Sequence, residues 1–157
     1  MTETIPFFRA EQVGSLLRPA PLLKAWARRD AGDLRGDDLR ELQDAAIAQA
    51  IHKQERLGFQ TVVDGEFRRD VWWSEFIDPA RIDGIAIDRE DPSTWFDKNR
   101  SAGDLPTYVP KRIRVTGRIK RNGSIMGHAF GVMKEAADAG GAALPKVTVP
   151  TRARFHF

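Results

Sequence analysis

Two apolar runs that each end against a glycine and a polar side chain, EQVGS at residues 11–15 and TVVDGE at residues 61–66, constrain this fold more than any other feature. Each reads as the C-terminal end of a β-strand. Taken singly, each is also what an ordinary strand followed by a glycine turn looks like. Between them runs a helical pattern: Asp38 and Glu41 have capping-box spacing, and Leu39, Leu42, Ala46, Ala50 and Leu57 recur at helical intervals until Gly58. A strand at residues 7–15, a helix at 38–57 and a strand at 59–63 then form one βαβ unit. Its right-handed crossover sets both junctions at the same edge of a parallel sheet. Ligands of α/β folds bind at that edge, so the two junctions point to a shared pocket.

The remaining segments attach to this unit. Residues 22–29 read as a short helix. A second short helix is expected at 71–77, carrying Trp72, Trp73 and Phe76 and ended by Asp78-Pro79. Residues 81–121 read as an excursion, an antiparallel hairpin with strands at 82–87 and 112–120. The second strand alternates Ile113, Val115 and Ile119 with Arg112, Arg114, Arg118 and Lys120. Met126, Phe130, Met133 and Ala137 set a helix over 126–139, closed by Gly140 and Gly141, and residues 146–149 form a third sheet strand stopped by Pro150. The expected organisation is one partial domain: residues 1–80 as the βαβ unit and following helix, 81–121 as the hairpin, and 122–157 as helix and third strand. No internal repeat is visible.

Composition narrows the function classes. With 41% hydrophobic residues in 157, the chain can bury a sizeable core and is not of disordered type. The formal net charge of +3 is weak ground for a nucleic-acid partner, and the basic face of residues 112–121 lacks the interleaved aromatics that stack on bases. No apolar run approaches the roughly 18 to 20 residues of a membrane span, and the N-terminus has no signal-peptide pattern. The absence of cysteine removes disulfides and thiolate zinc ligation, and it fits a cytoplasmic protein.

Four segments in the same order carry a resemblance: RAEQVGSLLRP at 9–19, KQERLG at 53–58, VDGEFRR at 63–69 and KVTVP at 146–150. Together they resemble the start of the catalytic barrel of cobalamin-independent methionine synthase and its single-domain relatives. The resemblance implies an incomplete (β/α)8 TIM-type barrel, represented by its first three strands plus the hairpin. In that family a methyl group passes from 5-methyltetrahydrofolate to the thiol of homocysteine on a zinc ion; related barrels use other thiols. Val13, Gly14 and Ser15 match the turn that receives the homocysteine carboxylate, where glycine permits close backbone approach. Glu66 matches the carboxylate that holds the substrate ammonium. Its plain alternative is a strand-end acid paired with Arg68 or Arg69, and Asp64 is read as bracing the turn.

The resemblance also sets limits. It puts the zinc ligands in later strands, so no metal is expected in this chain. His52, His128 and His156 lack ligand spacing and read as solvated or helix-packed. No counterpart of the folate-contacting arginine and cysteine is found around residues 105–108. A full barrel takes about 250 residues, so the chain is expected to be the amino-terminal portion of a longer enzyme, or a truncated relative completed by a partner or by self-association. A non-catalytic binding module, with Trp72, Trp73 and Trp95 as anchors, is the other class that the sequence leaves open.

Overall fold

The computed structural model describes residues 10–89, 111–141 and 143–150. It holds three helices, α1 (Ala20–Asp30), α2 (Gly36–Arg56) and α3 (Gly127–Gly140), and four strands, β1 (Thr61–Val62), β2 (Ile82–Arg89), β3 (Lys111–Arg121) and β4 (Leu144–Pro145). Two compact units result, one running up to Glu75 and resuming at Met126, the other spanning Phe76–Ile125.

In the first unit, α2 begins two residues before the expected capping box. Arg35 is its N-cap and makes no side-chain cap bond. Asp37 and Asp38 instead lie in the first turn, where negative charge complements the helix dipole. The buried stripe of α2 is Leu39, Gln43, Ile47, Ile51 and Gln54; of the leucine and alanine series expected, Leu39 is buried and Ala46 and Ala50 pack against the core, whereas Leu42 and Leu57 are exposed. Two glutamines on the inward stripe broke the hydrophobic pattern and hid it. Leu22 and Ala25 of α1, the α2 aliphatics, Val62, Phe67, and Met133, Ala136 and Ala137 of α3 form one apolar cluster. Gly141, left-handed at φ 110°, ends α3 where the double glycine predicted.

β1 and β4 pair in parallel, with Leu144 N–H bonded to Gln60 O and Lys146 N–H to Val62 O, both at 2.8 Å. A mixed α/β arrangement with a parallel pair behind helices is what the sequence required. Three expected elements differ. Residues 10–15 form no strand, and residues 7–9 lie outside the described residues. The Lys146 ammonium takes the Gln12 carbonyl, so the backbone there is satisfied by a side chain rather than by a ladder. Residues 71–77 are a series of turns, not a helix, because side chains claim the carbonyls that a helix needs. The Ser74 hydroxyl donates to Val71 O at 3.0 Å and Arg69 to Trp72 O at 3.2 Å. The strand expected at 146–149 lies instead at Leu144–Pro145, and beyond it Thr148 O accepts from Arg69 at 2.6 Å.

Gln54 ties α2 to the sheet. Its amide donates to Val63 O at 2.8 Å and accepts from Val63 N at 3.1 Å, all buried. Gln54→Ala leaves both Val63 backbone groups without this partner, and each orphaned buried group costs about 1–3 kcal/mol. A loss of at least about 2 kcal/mol in urea denaturation is expected; Gln54→Glu, which keeps one acceptor but buries a charge, should fare no better.

In the second unit β2 and β3 pair antiparallel, as the hairpin predicted. The register breaks between Asp83, opposite Lys120, and Ile85, opposite Val115. Two steps along β2 thus answer five along β3. Gly84 sits at this bulge with φ 79°, and a Cβ there would stand 2.5 Å from Arg118 O. The bulge also defeats the expected apolar face: Val115 and Ile119 are exposed.

Candidate functional site

The turn after β1 is held from within. Asp64, 1% exposed, accepts the Glu66 N–H on Oδ1 at 2.9 Å, bracing the turn as expected. Gly65 and Glu66 are both left-handed, at φ 68° and 58°. For glutamate that conformation costs about 1–2 kcal/mol relative to ordinary backbone. The turn persists because Phe67 anchors it in the core and Arg69 N–H bonds Glu66 O at 3.0 Å. Arg18 adds an outside tie, donating to Glu66 O at 3.1 Å and to Arg69 O.

A buried cation organises the carboxylates. Arg69, 2% exposed, donates from Nε to Glu75 Oε2 at 3.0 Å, from Nη1 to Glu66 Oε1 at 3.4 Å and Thr148 Oγ1 at 3.1 Å, and from Nη2 to Thr148 O. The Thr148 hydroxyl in turn donates to Glu66 Oε1 at 2.9 Å. Burial pushes the Glu75 carboxyl above its ordinary value, with Asp64 adding to the rise and the Arg69 hydrogen bond opposing it. Arg68 pairs with Asp44 and, through Nε at 4.0 Å, with Glu75, but not with Glu66. Of the two expected arginine partners of Glu66, Arg69 is therefore the one found.

The two junctions meet here. Leu16 N–H bonds Gly65 O at 3.1 Å, and Gly14 is buried so close to the turn that a Cβ would stand 2.7 Å from Glu66 Oε1 and 3.0 Å from Thr148 Cγ2. Gly14 and Glu66 are thus brought together. Val13 and Ser15 flank them with exposed side chains. Sequence reading named Arg69 as a possible partner of Glu66 but missed Thr148 as a member of this cluster. The trace that could have found it is the alternation in KVTVP, where Val147 packs on the core and its neighbour Thr148 must face elsewhere.

Other candidates lie apart. His52 Nδ1 is 3.2 Å from Glu55 and His128 Nε2 is 3.6 Å from Asp44, while His156 lies outside the described residues. Trp73 is buried and Trp72 exposed; Trp95 and residues 105–108 are outside the description. On the basic hairpin face, Arg114 pairs with Asp88 at 2.5 Å, and this hydrogen bond lowers the Asp88 pKa. Among the described residues, no group of three or more His, Asp and Glu could hold a metal, and the chain has no cysteine, so these residues do not fit a zinc ion. Among them too, no helix is long and apolar enough to cross a membrane.

No family model matches the chain. It is 32% identical over 152 residues to the uncharacterized protein YxjG of Bacillus subtilis, and 30% identical over 151 residues to YxjH of the same organism. These alignments take in 97% and 96% of the chain. A methionine synthase from Sulfurisphaera tokodaii is 34% identical over 68 residues, 43% of the chain and 20% of that protein. Among solved structures, a candidate vitamin-B12-independent methionine synthase from Listeria monocytogenes superposes with a TM-score of 0.68 at 27% identity, covering 96% of the chain and 38% of that structure. The chain is therefore similar along nearly all its length to proteins of which it spans 37% to 38%.

Proposed function

We propose that this chain is the amino-acid-binding part of a methyltransferase of the cobalamin-independent methionine synthase kind, moving a methyl group from 5-methyltetrahydrofolate to the thiol of homocysteine. The observation that carries the reading is the meeting of Gly14 with Glu66 and Thr148, two sequence junctions 52 positions apart, at a carboxylate held in a left-handed turn. Strain of this kind at a carboxylate-bearing turn is what a ligand clamp displays. Similarity to the Listeria and Sulfurisphaera proteins supports the same substrate class. The proposed architecture is an incomplete (β/α)8 barrel, with residues 1–80 and 122–157 as barrel units and 81–121 as a hairpin excursion. The proposed compartment is the cytoplasm, on the composition grounds given above.

In this reading Glu66 takes the substrate ammonium while the turn at Val13, Gly14 and Ser15 receives the carboxylate. A zwitterion held at both ends has its sulfur aimed in one direction. In the intact family zinc makes that thiol the nucleophile; the residues described here do not fit the metal, so its ligands would have to come from elsewhere. Glu66→Gln keeps shape and removes charge, and losing a charge-assisted bond in a shielded site costs about 1.5–3 kcal/mol, a fall of roughly ten- to a hundredfold in homocysteine affinity. Isothermal titration checks this. An unchanged affinity would make Glu66 a structural acid and move the substrate to simpler thiols; a parent chain that binds no thiol favours the binding-module reading.

A further inference from the structure

We propose that Thr148 and Arg69 are positioning residues that commit one oxygen of Glu66 to the protein and so present the other to the amino group of the substrate. The inference rests on the reading of Glu66 as the ammonium partner and adds how its selectivity is set. Both donors converge on Oε1: the Thr148 hydroxyl at 2.9 Å and Arg69 Nη1 at 3.4 Å. Arg69 Nη1 also reaches Thr148 Oγ1 at 3.1 Å, which spends an acceptor position of the hydroxyl on the arginine and leaves the hydroxyl proton for Glu66. Among the described residues no hydrogen bond reaches Oε2, although the side chain is only 15% exposed. The carboxylate is therefore fixed in rotation, with a single free oxygen.

The backbone limits the alternatives further. Glu66 is held at φ 58° by the Asp64 and Arg18 ties, and Gly14 closes on the Oε1 side with no room for a side chain. A carboxylate so placed can meet a cation from one direction only. Without the Thr148 hydroxyl the group would turn about its last bond and share its charge between two orientations. Substrate ammonium would then be held less selectively, while contacts to the thiol and carboxylate would be untouched.

The test compares Thr148→Val and Thr148→Ser in the full chain, reading the ratio of affinities for homocysteine and 4-sulfanylbutanoate, which has the same thiol and carboxylate but no amino group. The expected result is that the parent prefers homocysteine, that Thr148→Val loses about tenfold of that preference with 4-sulfanylbutanoate binding unchanged, and that Thr148→Ser restores it. A merely structural threonine would weaken both ligands together. If the parent discriminates and the valine variant discriminates equally, the positioning role is overturned while the Glu66 reading stands. If the parent binds both ligands alike, or neither, the Glu66 reading falls and this inference falls with it.

Discussion

Arg69→Met is expected to remove about 3–5 kcal/mol of stability, the range for breaking a buried ion pair by deleting one partner. Methionine fills much of the arginine volume, so the loss is one of charge and donors rather than of packing. Arg69 serves Glu75, Glu66, Trp72 O and both oxygens of Thr148 from a position 2% exposed. Deleting it takes the guanidinium from two carboxylates that are 11% and 15% exposed, leaving Glu66 the Thr148 hydroxyl and Glu75 only Arg68 Nε at 4.0 Å. Against a typical total of about 5–15 kcal/mol, such a loss brings the fold near its threshold. Urea denaturation should show the midpoint falling with little change in slope. The effect should also depend on pH. Glu75 already has a raised pKa in the fold, so its contribution is most favourable below the ordinary value of 4.5 and is lost as pH rises through the folded value. Removing Arg69 raises that value further. The deficit of the variant should therefore be smaller below pH 4.5, where the cost of the lost bonds to Trp72 O and Thr148 remains, and grow above it. A deficit constant across that range would mean that Glu75 does not carry the cost.

The second large effect is expected at Met133, which is fully buried in the cluster shared with Ile47, Ile51, Val62 and Phe67. Met133→Ala should cost about 2–5 kcal/mol through lost transfer energy and the cavity left behind. Met133→Leu, which nearly conserves volume, should cost less than about 1.5 kcal/mol. Both variants should keep the homocysteine preference, because neither touches the Glu66 cluster. Thermal unfolding of the pair separates packing from site effects: equal losses would mean that the α3 contact is not tightly packed.

What the sequence made legible was the set of local signals. All three observed helices were expected, as were both hairpin strands, and the 61–66 junction stands where the apolar run placed it. What it concealed were ties made by polar side chains. Gln43 and Gln54 sit on the inward stripe of α2, so a hydrophobic count shifted the stripe to Leu42 and Leu57. Arg69 and Lys146 satisfy backbone carbonyls near residues that read as strand: of the strands expected at 7–15 and 146–149, the described residues form none, and side-chain donors take Gln12 O and Thr148 O. Such bonds have no period. At the candidate site the glycine, the glutamate and its arginine neighbour were readable from their junctions, whereas Thr148 enters only once distant segments are brought together.

The left-handed conformation of Glu66 sets two selective pressures against each other at one codon. Glycine would occupy φ 58° without a Cβ penalty, and asparagine nearly so, yet both abolish the acidic group. Backbone comfort therefore favours replacement, and only a demand for the carboxylate opposes it. A lineage released from that demand should drift toward glycine or asparagine at this position, while the apolar core, which serves folding alone, stays as it is. Loss of the acid at position 66 in a descendant sequence thus records that neither a ligand nor the Arg69 and Thr148 network still calls for it.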